Sequence, residues 1–152
     1  MDIRLATPAD RDAAVALLVA QMREHDIPTP AARIAAAFDY LVADAARGAI
    51  LLAYEDRRAI GVAGLSYIFP LELGERTAWL EELYVEPSFR QRGFGTALLK
   101  AALDRAEADG AVAVDLEIIS GHERVERLYA RFGFQRLPRA HWTRSVLNAR
   151  PE

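Results

Sequence analysis

The chain has 152 residues, 52% of them hydrophobic and 27% charged, enough to bury one sizeable core, so a single domain over 1–152 with no linker is expected. A formal net charge of −3 excludes the dense basic face that nucleic-acid binding needs. The absence of cysteine excludes disulfides, thiolate metal sites and a covalent cysteine nucleophile. Apolar runs such as "AAVALLVA" and "AILLAY" are far shorter than the roughly 18 to 20 residues that span a bilayer, and "MDIRLATPADR" is polar rather than signal-like. A cytoplasmic protein with no membrane partner is expected.

"DIRLA" alternates as a strand does. "TPADRDAAVALLVAQMREHD" then predicts a helix, with Thr7 as N-cap, Pro8 at the first helical position, acids in the first turn, and Val15, Leu18, Val19 and Met22 at helical spacing. "IPTP" breaks it, and Ile34, Phe38, Leu41, Val42 and Ala45 mark a second helix that ends before Gly48. "AILLAY", the turn "EDRR" and "AIGVAGLSYIF" read as a hairpin. "LELGE" is a loop before a third strand, "TAWLEELYV", so antiparallel pairing is expected. A helix over about 93–109 buries Leu98, Leu99, Ala102, Leu103 and Ala106, stops at Gly110 and leads to a strand, "VAVDLEI". A last helix carries Val125, Leu128, Tyr129 and Phe132 on one face and ends at Gly133, before two short strands, "FQRL" and "HWTRSVL". The order β-α-α-β-β-β-α-β-α-β-β describes a mixed α/β domain.

The stretch "EPSFRQRGFGTALLK" sets Arg90 and Arg92 beside Gly93 and Gly95 at the start of a helix. Helix N-terminal N–H groups lack internal partners and carry partial positive charge, so open backbone there suits a pyrophosphate, and Thr96 adds a hydroxyl. An isolated G-x-G, however, more often only eases a tight strand-to-helix turn. A dinucleotide fold is the first rival, because Asp115 lies about twenty residues beyond the loop, where a ribose-binding acid belongs. It fits poorly: the third glycine is missing, and seven residues, "EPSFRQR", separate strand from loop. A P-loop would need Gly-Lys-Ser or Gly-Lys-Thr, which does not follow.

Taken with its neighbours, "LEELYVEPSFRQRGFGTALLKAAL" resembles the acetyl-CoA-binding core of the GNAT superfamily of N-acetyltransferases, whose loop reads Arg/Gln-x-x-Gly-x-Gly/Ala; here it is Arg90-Gln91-Arg92-Gly93-Phe94-Gly95. "RLYARFGF" is similar to the superfamily's second signature, a helix bearing a tyrosine followed by Gly-Phe. The resemblance implies a central, mostly antiparallel sheet of six to seven strands with about four helices, splayed into a V-shaped cofactor opening. It implies that the main chain of Leu83, Tyr84 and Val85 pairs with the pantetheine arm. Arg90, Gln91, Arg92, Gly93, Phe94, Gly95 and Thr96 would hold the pyrophosphate of acetyl-CoA, and Tyr129 would protonate the departing thiolate. The asparagine common seven residues before that tyrosine is His122 here, a side chain that can still donate a hydrogen bond to CoA.

An alkyl amine near pKa 10.4 is almost wholly protonated at pH 7, and recovering its lone pair costs roughly 4 to 5 kcal/mol. A base is therefore useful, and Glu81 or Glu82 on the strand before the loop could accept the proton. Strand alternation puts them on opposite faces unless a bulge intervenes. Resemblance to the spermidine/spermine acetyltransferase branch sets the base at Glu81. The apolar helix face around Tyr129 by itself reads as core packing, and both glutamates by themselves could be solvated or paired with arginines. The three histidines, His25, His122 and His141, show no metal-ligand spacing, and no metal is expected.

The leading reading is transfer of an acetyl group from acetyl-CoA directly to a primary amine of a small, cationic acceptor. Glu24, Asp26, Glu72 and Glu75, in the connections that would rim the acceptor, favour a cation. Two alternatives stay open: acetylation of a protein or peptide amine, and a CoA-binding sensor that has lost turnover. A homodimer is admitted as the assembly.

Overall fold

Five strands lie side by side in chain order in the first unit, Met1–Glu117, of a computed structural model that describes residues 1–146. They are β1 (Asp2–Leu5), β2 (Gly48–Glu55), β3 (Arg58–Ile68), β4 (Thr77–Val85) and β5 (Val114–Asp115). β1 to β4 pair antiparallel, and β5 pairs parallel to β4. Asp56 and Arg57 close the β2–β3 hairpin with φ of 47° and 65°, the positive values that match a two-residue turn to the twist of its strands. The parallel pair follows from the crossover through α3 (Phe94–Ala108), which returns the chain to the edge at which β4 began.

The sheet is thus mixed and five-stranded, where the sequence predicts a mostly antiparallel sheet of six to seven strands. "VAVDLEI" contributes only Val114 and Asp115. "FQRL" and the described part of "HWTRSVL" form no strand, and Leu147 lies outside the described residues. Leu137, Trp142 and Val146 are exposed, so no buried apolar face fixes a register for these segments.

Helices α1 (Arg11–Glu24) and α2 (Ala31–Val42) cover one face of the sheet, and α3 covers the other. Ala14, Leu17 and Leu18 of α1 and Ile34 and Phe38 of α2 pack with Ile50, Leu52, Tyr54, Val62 and Tyr84 of the sheet. Gly61, the neighbour of Val62, points the opposite way, and a Cβ there would lie 2.8 Å from Leu98 Cδ1 of α3. Side-chain orientation at each strand position is therefore fixed from both sides. In α1 the fully buried stripe is Ala14, Leu17, Leu18 and Gln21; Val15, Val19 and Met22 are only half-buried. The helix starts after a 3-10 turn (Pro8–Asp10), where the Thr7 N–H and hydroxyl both donate to Asp10 Oδ2, at 2.8 and 2.9 Å.

The second unit, described over 118–146, contains α4 (Glu123–Arg131), the fourth α-helix among the described residues. His122 precedes the helix, and Gly133, at φ 86°, ends it.

Candidate active site

Strand β4 carries candidate residues 81–85. Its pairing with β5 covers only Ala78 and Trp79, so the rest of that edge, residues 80–85, has no strand partner among the described residues. An unpaired edge exposes backbone donors and acceptors that an extended chain can satisfy. Leu83 is half-buried on this stretch, while the side chains of Tyr84 and Val85 are buried. For the last two, the main chain is the part left to meet a ligand.

Opposite β4, the register with β3 shifts: Gly64 pairs with Glu82 and Leu65 with Leu80, which leaves Glu81 as an extra, bulged residue. Simple alternation would set Glu81 and Glu82 on opposite faces. The bulge brings them to the same one. Glu82 lies opposite Gly64, two positions from the Val62–Tyr84 pair that packs under α1 and α2. Glu81 accepts a 2.6 Å hydrogen bond from the Ser66 hydroxyl, and its Cβ is 4.0 Å from where a Cβ on Gly64 would sit. Glu81 is exposed; Glu82 is half-buried, and its carboxyl has no hydrogen bond or ion pair among the described residues. Burial, and secondarily the charge of Glu81, push the Glu82 carboxyl up to about 7.

The loop after β4 is held in an unusual backbone shape. Gln91 has φ of 60° and Gly93, the residue before α3, has φ of 86°. Only glycine takes such a conformation without steric cost. The first N–H of α3 to reach a carbonyl is that of Ala97, 3.0 Å from Gly93 O. The N–H groups of Phe94, Gly95 and Thr96 have no carbonyl in the helix to bond, so this residue set fits an anionic diphosphate. The Phe94 side chain is in the core, edge-on to Phe89 with ring centroids 6.4 Å apart, so only its backbone can serve a ligand.

The two loop arginines are already engaged. Arg90 donates from Nε to Val85 O at 2.9 Å and, through both terminal nitrogens, to Glu24 at 2.8 and 2.7 Å. Its guanidinium lies 5.5 Å from the centre of the Tyr84 ring. These contacts tie the end of α1 to the loop. Arg92 forms a two-toothed pair with Glu55 and stacks over the rings of Phe89 and Phe94. Beside it is a depression of about 400 Å³ lined by Met1, Asp2, Tyr54, Glu55, Asp56, Arg92 and Phe94. Three carboxylates make it a poor place for a diphosphate, so the open N–H groups of α3 remain the better anion site despite the size of this hollow.

His122 and Tyr129 belong to the second unit. His122 is exposed, and its carbonyl accepts from Val125 N–H at 3.1 Å. Tyr129 is half-buried, with its ring edge-on to that of Phe134 at 5.6 Å.

Ser66 and Gln21 are absent from the sequence-based site. Ser66 interrupts the apolar run of β3, a weak signal that becomes meaningful only once the bulge aligns it with Glu81. Gln21 continues the buried stripe of α1, and its Oε1 is buried without a hydrogen-bond partner among the described residues. A polar residue at an apolar helical position was visible as a pattern break.

The model of the acetyltransferase (GNAT) family matches residues 13–134. Over 135 residues, 89% of this chain and 90% of the relative, the sequence is 32% identical to the uncharacterized N-acetyltransferase YhfO of Bacillus subtilis (strain 168). It is 30% identical over 77 residues to the thialysine N-epsilon-acetyltransferase of Bos taurus, covering 51% of this chain and 45% of that protein. The fold is similar to that of aminoglycoside N-acetyltransferase AAC(6')-Iy, solved in complex with CoA, with a TM-score of 0.82 at 21% identity over 96% of this chain and 95% of that one. With a family match over most of its length and relatives named as N-acetyltransferases, the chain belongs to the GNAT family and is an acetyl-CoA-dependent acetyltransferase.

Proposed function

We propose that the acceptor is a primary amine on a small, cationic molecule and that Glu82 is the base that prepares it. The observation that carries this reading is the half-buried Glu82 carboxyl, raised to about 7, one residue before the open backbone of Leu83. A base of that strength narrows the gap to an alkyl ammonium relative to an ordinary carboxylate, yet is substantially ionised at neutral pH. Glu81 beside it adds negative charge that attracts a cation. Glu81 remains the alternative base, but its exposure and its bond to Ser66 suit it less.

Acetyl-CoA supplies the activated thioester. Glu82 removes the amine proton, directly or through a water, and the freed lone pair attacks the acetyl carbon. The Leu83 N–H offers a donor to the carbonyl oxygen as negative charge develops there. As the tetrahedral species collapses, the C–S bond breaks, Tyr129 gives the leaving sulfur a proton, as the family resemblance implies, and the second proton of the attacking nitrogen passes through solvent to restore the phenol. The N–H groups of Phe94, Gly95 and Thr96, with Gln91 and Gly93 shaping the turn, hold the diphosphate and so fix the thioester's position. His122 serves CoA as a hydrogen-bond donor. The names of the relatives support the amine class: thialysine for one and aminoglycosides for the other.

A thiol-release screen with acetyl-CoA against polyamines, aminoglycosides, amino acids and peptides tests the reading. Turnover concentrated in the small cationic amines is expected. Turnover with peptides alone would replace the acceptor class. Silence across the panel, with acetyl-CoA still raising the melting temperature, would favour a CoA-binding sensor.

A further inference from the structure

The bulge on β4 sets a second carboxylate beside the proposed base. Glu81 is the extra residue, and it is not left to wander: Ser66, on the neighbouring strand, donates to its Oε1 at 2.6 Å. Ser66 pairs with Trp79 and Gly64 with Glu82, and successive pairs on one face bring Ser66, Glu81 and Glu82 together on the side covered by α1 and α2. Gly64 contributes by having no side chain, leaving room for both carboxylates over the strand.

We propose that Ser66 and Glu81 form a fixed anionic partner for Glu82, so that Glu81 is a positioning residue which sets the proton affinity of the base and does not itself accept the proton. This rests on the reading of Glu82 as the base.

The surroundings leave Glu81 as the group best able to do this. β3 presents Val62, Gly64 and Ser66 on this face near Glu82, none of them titratable. On β4, Tyr84 is buried two residues on, and Tyr54 of β2 donates to Asp10. From β5, Asp115 pairs with Trp79 rather than with either glutamate. At the end of α1, Glu24 is neutralised by Arg90 and is followed by His25, and Arg11 of α1 pairs with Asp39 of α2. Burial and Glu81 are the two influences acting on Glu82, in that order. The bulge thus divides two adjacent glutamates into roles: the half-buried one holds its proton more tightly than an ordinary carboxyl does, and the exposed one, anchored by Ser66, supplies charge that adds to this.

The test needs no acceptor. In the full chain labelled with ¹³C at glutamate carboxyls, Glu82→Gln identifies the Glu82 signal, and its titration is followed by NMR in the wild type, Glu81→Gln and Ser66→Ala. Glu81→Gln is expected to lower the midpoint by ~0.5 to 1 pH unit, and Ser66→Ala to lower it by less, because a released Glu81 turns toward solvent. A midpoint unmoved by Glu81→Gln overturns the proposal; if that variant fails to fold, an unmoved midpoint in Ser66→Ala does so. With the best amine of the screen, Glu81→Gln should move the acid limb of the kcat/KM profile the same way, whereas a loss of turnover persisting at every pH would make Glu81 the base and overturn it. Unchanged turnover in Glu82→Gln would instead remove the reading of Glu82 as base, while the NMR titration would still report whether Glu81 controls its charge.

Discussion

In the proposed reaction, Glu82 links reactivity and stability through one proton. Its carboxyl binds that proton more tightly in the folded chain than in the unfolded one, where it has the ordinary value of 4.5. Its contribution to stability is therefore fully present below about 4.5 and is lost as the pH rises through about 7. Glu82→Gln, which cannot ionise, is expected to match the wild type at pH 4 and to exceed it at pH 8 by about 1 to 3 kcal/mol, read as a higher urea midpoint. The same variant should lose activity, so stability and turnover move in opposite directions at pH 8. The pair Glu81-Glu82 was legible in the sequence as a candidate base, but its division of roles was not. That depends on a one-residue register shift against Gly64 and Leu65, which no pattern within "TAWLEELYV" announces.

At the scale of elements, the loop and α3 form one device. Gly93 has to adopt a left-handed conformation at the start of the helix whose open N–H groups are the proposed diphosphate site. Gly93→Val is expected to cost about 1 to 3 kcal/mol in stability and to raise the KM for acetyl-CoA several-fold more than it lowers kcat. Equal effects on both would argue that the loop does not bind the co-substrate. On the core side of α3, Leu98 is fully buried against Gly61, and Leu98→Ala should cost about 2 to 5 kcal/mol by chemical denaturation. The glycines, the helix and its apolar stripe were readable because the period of 3.6 and the punctuation by Gly93 and Gly110 are local signals. The partners of Arg90 and Arg92 were not. Glu24 and Glu55 lie far from them in sequence, and only the folded arrangement brings the end of α1 and the end of β2 to the loop. The buried side of α1, Ala14, Leu17, Leu18 and Gln21, lies one position from the spacing of Val15, Leu18, Val19 and Met22 for a related reason: with Ala, Val and Leu around most of the helix, packing rather than periodicity decides which side is buried.

At the scale of the whole molecule, the strand and helix order through β4 and α3 follows the sequence closely, since each element there has its own apolar face and its own terminating turn. The last stretch does not. "VAVDLEI" yields a two-residue strand and "FQRL" none, because strand propensity without a partner face to bury against does not hold a ladder. This leaves residues 80–85 of β4 unpaired by any described strand, the opening the proposed chemistry uses. No helix among the described residues is long and apolar enough to cross a membrane. The measurement that tests the central claim most directly is the pH dependence of kcat/KM for the best amine of the screen, in the wild type and in Glu82→Gln. The wild-type rate should rise with pH to a plateau with an apparent pKa of about 7, and Glu82→Gln should lower the plateau by ~100- to 1000-fold. A Glu82→Gln enzyme with wild-type turnover and an unchanged profile would contradict it.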